Sequence, residues 1–318
     1  MSSREVTFDS GGCVIAGTYA EATNPVAAAL LITGSGKTDR DSDVHLPLHQ
    51  MLRGGITRQI SDALVAAGVS ALRYDKRGVG ASGGDYLTAG MDQRMTDAGA
   101  ALGWLAATAA GLPLLAVGHS EGTYYAARLA ADGQLAGAVL LSGSVKRGED
   151  VLAWQSGQME TRLPRAARII FRILRIDPVK LARKNLERIL ASSDDVMRIQ
   201  GTRINARWIR DFATCDPAPA LARITVPVLA ITGGQDVQVP PGDVEECGRL
   251  VRGPFDGLVV GDLSHLLRPD PGSIGPRGYK RAVREPVSRE VLDLITSWVA
   301  RHWGAHDQPQ TEAAGENR

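Results

Sequence analysis

At 318 residues the chain has room for one large α/β domain or two small ones, and its apolar content is ordinary for a protein with a packed core. A formal net charge of +1 excludes bulk nucleic-acid binding, and three widely spaced cysteines (Cys13, Cys215 and Cys247) exclude a disulfide framework and a C-x-x-C zinc site. The polar start, MSSREVTFDS, is no secretory leader and no run approaches about 20 apolar residues; with thiols that suit a reducing compartment, a cytoplasmic location is expected.

Residues 4–8 (REVTF) and 13–19 (CVIAGTY) predict two strands about the turn Ser10-Gly11-Gly12. The continuous apolar run 26–33 (VAAALLIT) predicts a buried central strand. A helix is predicted over 51–67, a buried strand over 69–75, a glycine loop at 78–84 and a helix over 91–109. Strand PLLAV (113–117) leads into Gly118-His119-Ser120-Glu121-Gly122, and TYYAARLAA beyond it is a good helix former. Further strands are predicted at 136–142, 226–232 and 257–261, and a last helix from about Val287 to Trp303. Strands alternating with helices specify a mostly parallel sheet covered on both faces, with its ligand site beyond the carboxyl ends of the strands.

The stretch 146–215 differs. It carries 15 Lys or Arg against 8 Asp or Glu and shows no strand pattern, so three or four helices are expected. Asp177-Pro178 is an N-cap with proline at the first helical position, and Ser192 with Asp195 resembles a capping box. Residues 1–145 and 216–303 are therefore expected to form the core, 146–215 a helical cap and 304–318 a flexible tail. Within the cap, Arg165, Arg168, Arg172 and Arg175 share one face of an amphipathic helix. Two roles beyond simple packing suit that helix. It can roof an acyl pocket with Ile169 and Phe171, which is favoured, or touch an anionic membrane surface.

Strand, tight turn and helix is the setting in which G-x-S-x-G lifts a serine clear of the sheet. A serine hydroxyl needs a base, and the base needs an orienting acid. Of six histidines, only His265 follows a late strand on the rim that carries Ser120. Asp236 follows strand 226–232, and the order Ser120, Asp236, His265 is that of this elbow type. Asp262 is a rival acid. Asp75, Arg77 and Gly78 read as loop structure, the Glu121 carboxylate as solvated, and Lys37 as a solvated loop lysine. The backbone N–H of Glu121, the residue after the nucleophile, is one expected oxyanion donor. The other comes from the loop after the third strand.

Four motifs, RYDKRGVGAS (73–82), GHSEG (118–122), TGGQDVQVP (232–240) and LSHLLRP (263–269), resemble those of the α/β-hydrolase superfamily over nearly the whole chain. TGSGKTDRD (33–41) is similar to the G-S-G-P-x-D-R-D loop of bacterial serine esterases, with Lys37 where that pattern has proline. The resemblance implies an α/β-hydrolase fold with a mostly parallel sheet, and Ser35 as the second oxyanion amide, with Gly36 as second choice. Substrate contacts are expected from Gly34, Gly36 and His119 at the elbow and from Ile169 and Phe171 in the cap. The expected activity is hydrolysis of small-molecule carboxylic esters without metal or organic cofactor. Thioesterase, amidase or peptidase, and acyltransferase activity are the alternatives on the same triad, and a non-catalytic binding protein is the outlier. Oligomeric state is left open.

Overall fold

The computed structural model describes residues 2–45, 51–161, 177–270 and 282–304. Ile169, Phe171, the arginine face and the tail beyond Gly304 lie outside them. In chain order the elements are β1 (Ser2–Ser10), β2 (Cys13–Glu21), β3 (Ala27–Ile32), β4 (Val44–His45), β5 (Met51–Leu52), α1 (Ile56–Ala66) and β6 (Val69–Tyr74). Then come α2 (Met91–Thr108), β7 (Leu114–His119), α3 (Gly122–Ala131), β8 (Gly137–Leu141), α4 (Gly148–Thr161) and α5 (Pro178–Leu190). The rest are β9 (Val196–Ile199), β10 (Thr202–Asn205), α6 (Ala206–Thr214), α7 (Ala218–Leu221), β11 (Val228–Gly233), α8 (Asp243–Leu250), β12 (Phe255–Val260) and α9 (Arg289–Trp303).

Eight strands form one sheet in the order β1-β2-β6-β3-β7-β8-β11-β12. The pairs from β6 to β12 are parallel, and β1 and β2 join antiparallel at one edge. The continuous apolar runs become strands buried on both faces. In β3, Ala28, Leu30 and Ile32 pack with α2 and α3, while Ala27, Ala29 and Leu31 pack with α1 and α9. That alternation is the period-2 geometry of a strand inside a three-layer fold. This is the α/β-hydrolase arrangement, and it puts the carboxyl ends of β3, β7, β8 and β11 along one rim. Among the described residues no helix is long and apolar enough to cross a membrane.

The stretch after β8 departs from the expected all-helical pattern. It holds α4, α5 and α6, with Asp177 capping α5 through Oδ1 to the amides of Val179 and Lys180 at 3.0 Å each. Between α5 and α6 lies a hairpin, β9 against β10. Its two central residues, Gln200 and Gly201, have φ of 50° and 82°, as a tight hairpin turn requires. Strands of four residues without a cleanly alternating buried face leave little pattern in the sequence. Ser192 starts no helix: its Oγ accepts from the Asp194 amide at 3.0 Å and the chain runs on into β9. The helix expected from Met51 begins only at Ile56. Gly55 stands before it in a left-handed conformation, and Met51–Leu52 pairs with Val44–His45 instead.

Candidate active site

Ser120 sits between β7 and α3 with φ of 53°, a left-handed conformation that costs energy for any residue with a side chain. The turn survives because its flanks are bare. A Cβ on Gly118 would collide with the Gly122 backbone, and one on Gly122 would collide with the Ile32 carbonyl. The Ser120 amide donates to the Leu141 carbonyl at 2.9 Å, and the Ser120 carbonyl accepts from the Thr123 amide at 3.0 Å and the Thr123 hydroxyl at 2.7 Å. The serine is thereby tied to β8 and to the first turn of α3.

His265, in the loop after β12, brings Nε2 to 3.0 Å from Ser120 Oγ. Its Nδ1 lies 2.8 Å from Asp236 Oδ2 and 3.1 Å from Oδ1. Asp236, after β11, also accepts the amides of Gln238 at 2.8 Å and Val239 at 3.0 Å. Burial alone would raise its carboxyl, but the His265 charge and these donors hold it below the ordinary range. Asp262, the rival acid, is exposed. A hydroxyl facing an imidazole whose far nitrogen meets a buried carboxylate can surrender its proton during attack on a carbonyl.

Ser35 and Glu121 line a recess beside Ser120. The end of β8 contributes Ser142 and Ser144, and the inserted helices contribute Leu152 and Phe212. Gly34 lies against the elbow, where a Cβ would stand 3.1 Å from Ser120 Cβ. Lys37 is exposed.

A model of the family described as serine aminopeptidase, S33, matches residues 53–252, well over half the chain. The chain belongs to that family. It is also similar to esterase EstD of Thermotoga maritima, 26% identical over 290 residues that make up 89% of this chain and 64% of EstD. The chain thus spans less than two thirds of that relative's length. Among solved structures, the α/β hydrolase GrgF from a Penicillium species superposes with a TM-score of 0.62 at 16% identity, covering 96% of this chain and 100% of GrgF. The Pyrococcus furiosus esterase Pf2001 superposes with a TM-score of 0.60 at 16% identity, covering 96% of this chain and 92% of that one. Likenesses this remote in sequence concern the fold.

Within this S33 chain, two side chains near the elbow depart from their sequence reading. The Glu121 carboxylate is buried instead of solvated. Arg94 Nη1 donates to its two oxygens at 2.8 and 3.0 Å, the Tyr125 hydroxyl at 2.5 Å and Trp208 Nε1 at 3.0 Å. Burial would raise this carboxyl; Arg94, then Lys76, outweigh it and hold it low. The guanidinium also stacks over Tyr86 at 5.2 Å and Trp208 at 5.5 Å. Trp208 belongs to α6, so the elbow and the inserted helices share one buried carboxylate. No short-range pattern marks Arg94 or Trp208, because the three elements meet only in space.

His119, expected at the substrate, turns its ring to the His265 main chain. Its Nε2–H donates to the His265 carbonyl at 2.9 Å, and the ring is not part of the recess lining. Burial and the neighbouring His265 push its pKa down to about 3. Asp75 and Arg77 do brace loops, though with different partners. Asp75 accepts from Arg40 Nη2 at 2.7 Å, while Arg77 Nη2 donates to Asp97 at 2.8 Å and the Ser10 carbonyl at 2.7 Å. Lys76, which lies between them and which no sequence motif singles out, is buried.

Proposed function

We propose that the chain is a serine hydrolase that cleaves carboxylic esters through an acyl-enzyme. The observation that carries this reading is the line of contacts from Ser120 Oγ to His265 Nε2 at 3.0 Å and from His265 Nδ1 to Asp236 Oδ2 at 2.8 Å. Ser120 Oγ attacks the ester carbonyl carbon while His265 Nε2 takes the hydroxyl proton. Asp236 keeps the remaining proton on Nδ1 and stabilises the imidazolium. The amides of Glu121 and Ser35 receive the oxyanion at the N-terminus of α3. Collapse expels the alkoxide, protonated by His265, and water then repeats the sequence on the acyl-enzyme. Residues 146–215 act as the cap, with Leu152 and Phe212 supplying apolar surface to the acyl group. The chain's likeness to EstD supports ester substrates.

The family description favours a second reading, release of an N-terminal residue from a peptide. An N-terminal ammonium needs a carboxylate with free acceptor capacity. Among the described residues lining the recess, the one carboxylate is that of Glu121, and it already serves Arg94, Tyr125 and Trp208. That favours the ester. Thioester hydrolysis and acyl transfer use the same machinery and need substrates to separate them.

The test is a series of p-nitrophenyl esters of rising acyl length beside matched thioesters and aminoacyl anilides. Esters should give the highest kcat/KM. Ser120→Ala should fold normally and lower kcat by about 10⁴- to 10⁶-fold. Undiminished turnover in that variant would remove the serine mechanism, and preference for aminoacyl anilides would favour the peptide reading.

A further inference from the structure

Lys76 leaves the end of β6 and buries its side chain beneath the loop that follows β3. Its Nζ donates to the carbonyl oxygen of Gly34, to that of Gly36 at 3.0 Å and to Thr38 Oγ1 at 2.8 Å. An ammonium has three N–H donors, and this short loop offers it three acceptors. Thr38 Oγ1 also lies 3.3 Å from the Gly34 oxygen, so the lysine and the threonine hold the same carbonyl.

The Gly34 carbonyl and the Ser35 N–H belong to one peptide unit. That unit is planar and trans, so its C=O and N–H point in opposite directions. An oxygen held on Lys76 sends the Ser35 N–H away from the lysine. Gly34, at one end of this plane, has no side chain to restrain its rotation, so the hold on its oxygen is what fixes the orientation. We propose that Lys76 is a positioning residue that sets the Ser35 peptide plane, and with it the second oxyanion donor. This rests on the ester-hydrolase reading above and adds to it a residue outside the triad and the amides.

The charge has a second effect. An ammonium on the carbonyl oxygen polarises the peptide and strengthens its N–H as a donor. The charged groups facing Lys76 are Glu121 and Arg94 beneath the elbow and Asp39 in the loop. Glu121 is the residue whose amide forms the other half of the hole, so Lys76 touches one donor peptide and faces the residue carrying the other. Burial lowers its pKa to about 7, with Glu121 opposing the shift.

The experiment uses Lys76→Met in the full chain, with two readouts. On a p-nitrophenyl ester, kcat should fall about 10- to 100-fold, less than the 10²–10³ lost with a whole oxyanion donor, while KM stays within about twofold. In ¹⁵N relaxation without substrate, the Ser35 and Gly36 amides should drop from a rigid order parameter near ~0.85 to below ~0.6. The second readout needs no turnover. If the wild type cleaves no ester, the hydrolase reading fails and relaxation still decides the role of Lys76. Unchanged order parameters with unchanged kcat would overturn the proposal, as would a rise in KM alone. Should Lys76→Met not fold, Thr38→Val, which removes one acceptor at similar volume, must show both effects in smaller measure; neither effect would overturn it.

Discussion

His119 shows how one buried imidazole links the elbow to pH. Its ring stands 5.2 Å from the His265 ring, centroid to centroid, and its Nε2–H anchors the His265 main chain. The folded pKa is about 3, against about 6.5 for a free imidazole. Between those values the unfolded chain binds a proton that the folded chain refuses. Stability therefore rises with pH across this window and is lost as pH falls, by about 1.4 kcal/mol per unit from this group. His119→Gln should flatten that limb. Between pH 7 and 4.5, urea unfolding should show the wild type losing about 2–3 kcal/mol more than the variant. Equal losses would mean that His119 does not titrate with folding. Ser120 was legible at this scale, because its glycine flanks answer to local sterics. The burial of Glu121 was not, because a glutamate at the start of a helix is ordinarily solvated.

Asn205 illustrates the element scale. It ends β10 and caps α6, with Oδ1 accepting from the Trp208 amide at 2.8 Å. Its Nδ2 donates to the carbonyls of Tyr86 at 2.7 Å and Ala89 at 2.8 Å, in the segment that leads into α2. Every bond this amide can readily make is used, inside the protein. Capping preference alone ranks Asn and Asp together and Ala far below. Here Asp would keep the cap and turn a carboxylate onto two carbonyl oxygens. Asn205→Asp should therefore destabilise at least as much as Asn205→Ala, each by about 2–4 kcal/mol in thermal or urea unfolding. An aspartate variant close to wild type would show that the ties to Tyr86 and Ala89 contribute little. The cap of α5 at Asp177 was readable because Asp-Pro is a local signal. The β9–β10 hairpin was not, because its strands are only four residues long and show no cleanly alternating buried face.

At the scale of the molecule, the recess lies between the strand rim and the helices inserted after β8. Leu152, half-buried on α4, lines it opposite the rim serines Ser142 and Ser144. Shortening Leu152 should admit longer acyl groups. For Leu152→Ala, the ratio of kcat/KM for a hexanoyl over an acetyl ester should rise about tenfold, the smaller end of what one hydrophobic contact discriminates. A parallel change in both esters would place Leu152 outside the acyl site. Such selectivity would belong to no single element, since the rim and α4 line the recess together.

Local order was determined by the sequence. Apolar runs fixed which segments are central strands, and bare glycines fixed where the chain could turn sharply beside a serine. The succession of Ser120, Asp236 and His265 after three different strands fixed which rim they occupy. These follow from backbone sterics and from the alternation of buried faces, which act within a few residues. Only the tertiary structure decided what burial did to charged side chains. Glu121, Arg94 and Lys76 come from an elbow, a helix and a loop, and each would be solvated in isolation. Packed together they lose water, and the partners that replace it are set by distances between elements. The same holds for His119, whose neighbour across the elbow lies 146 residues further along the chain. Charge inside a fold is governed by contacts remote in sequence, and no local pattern records them.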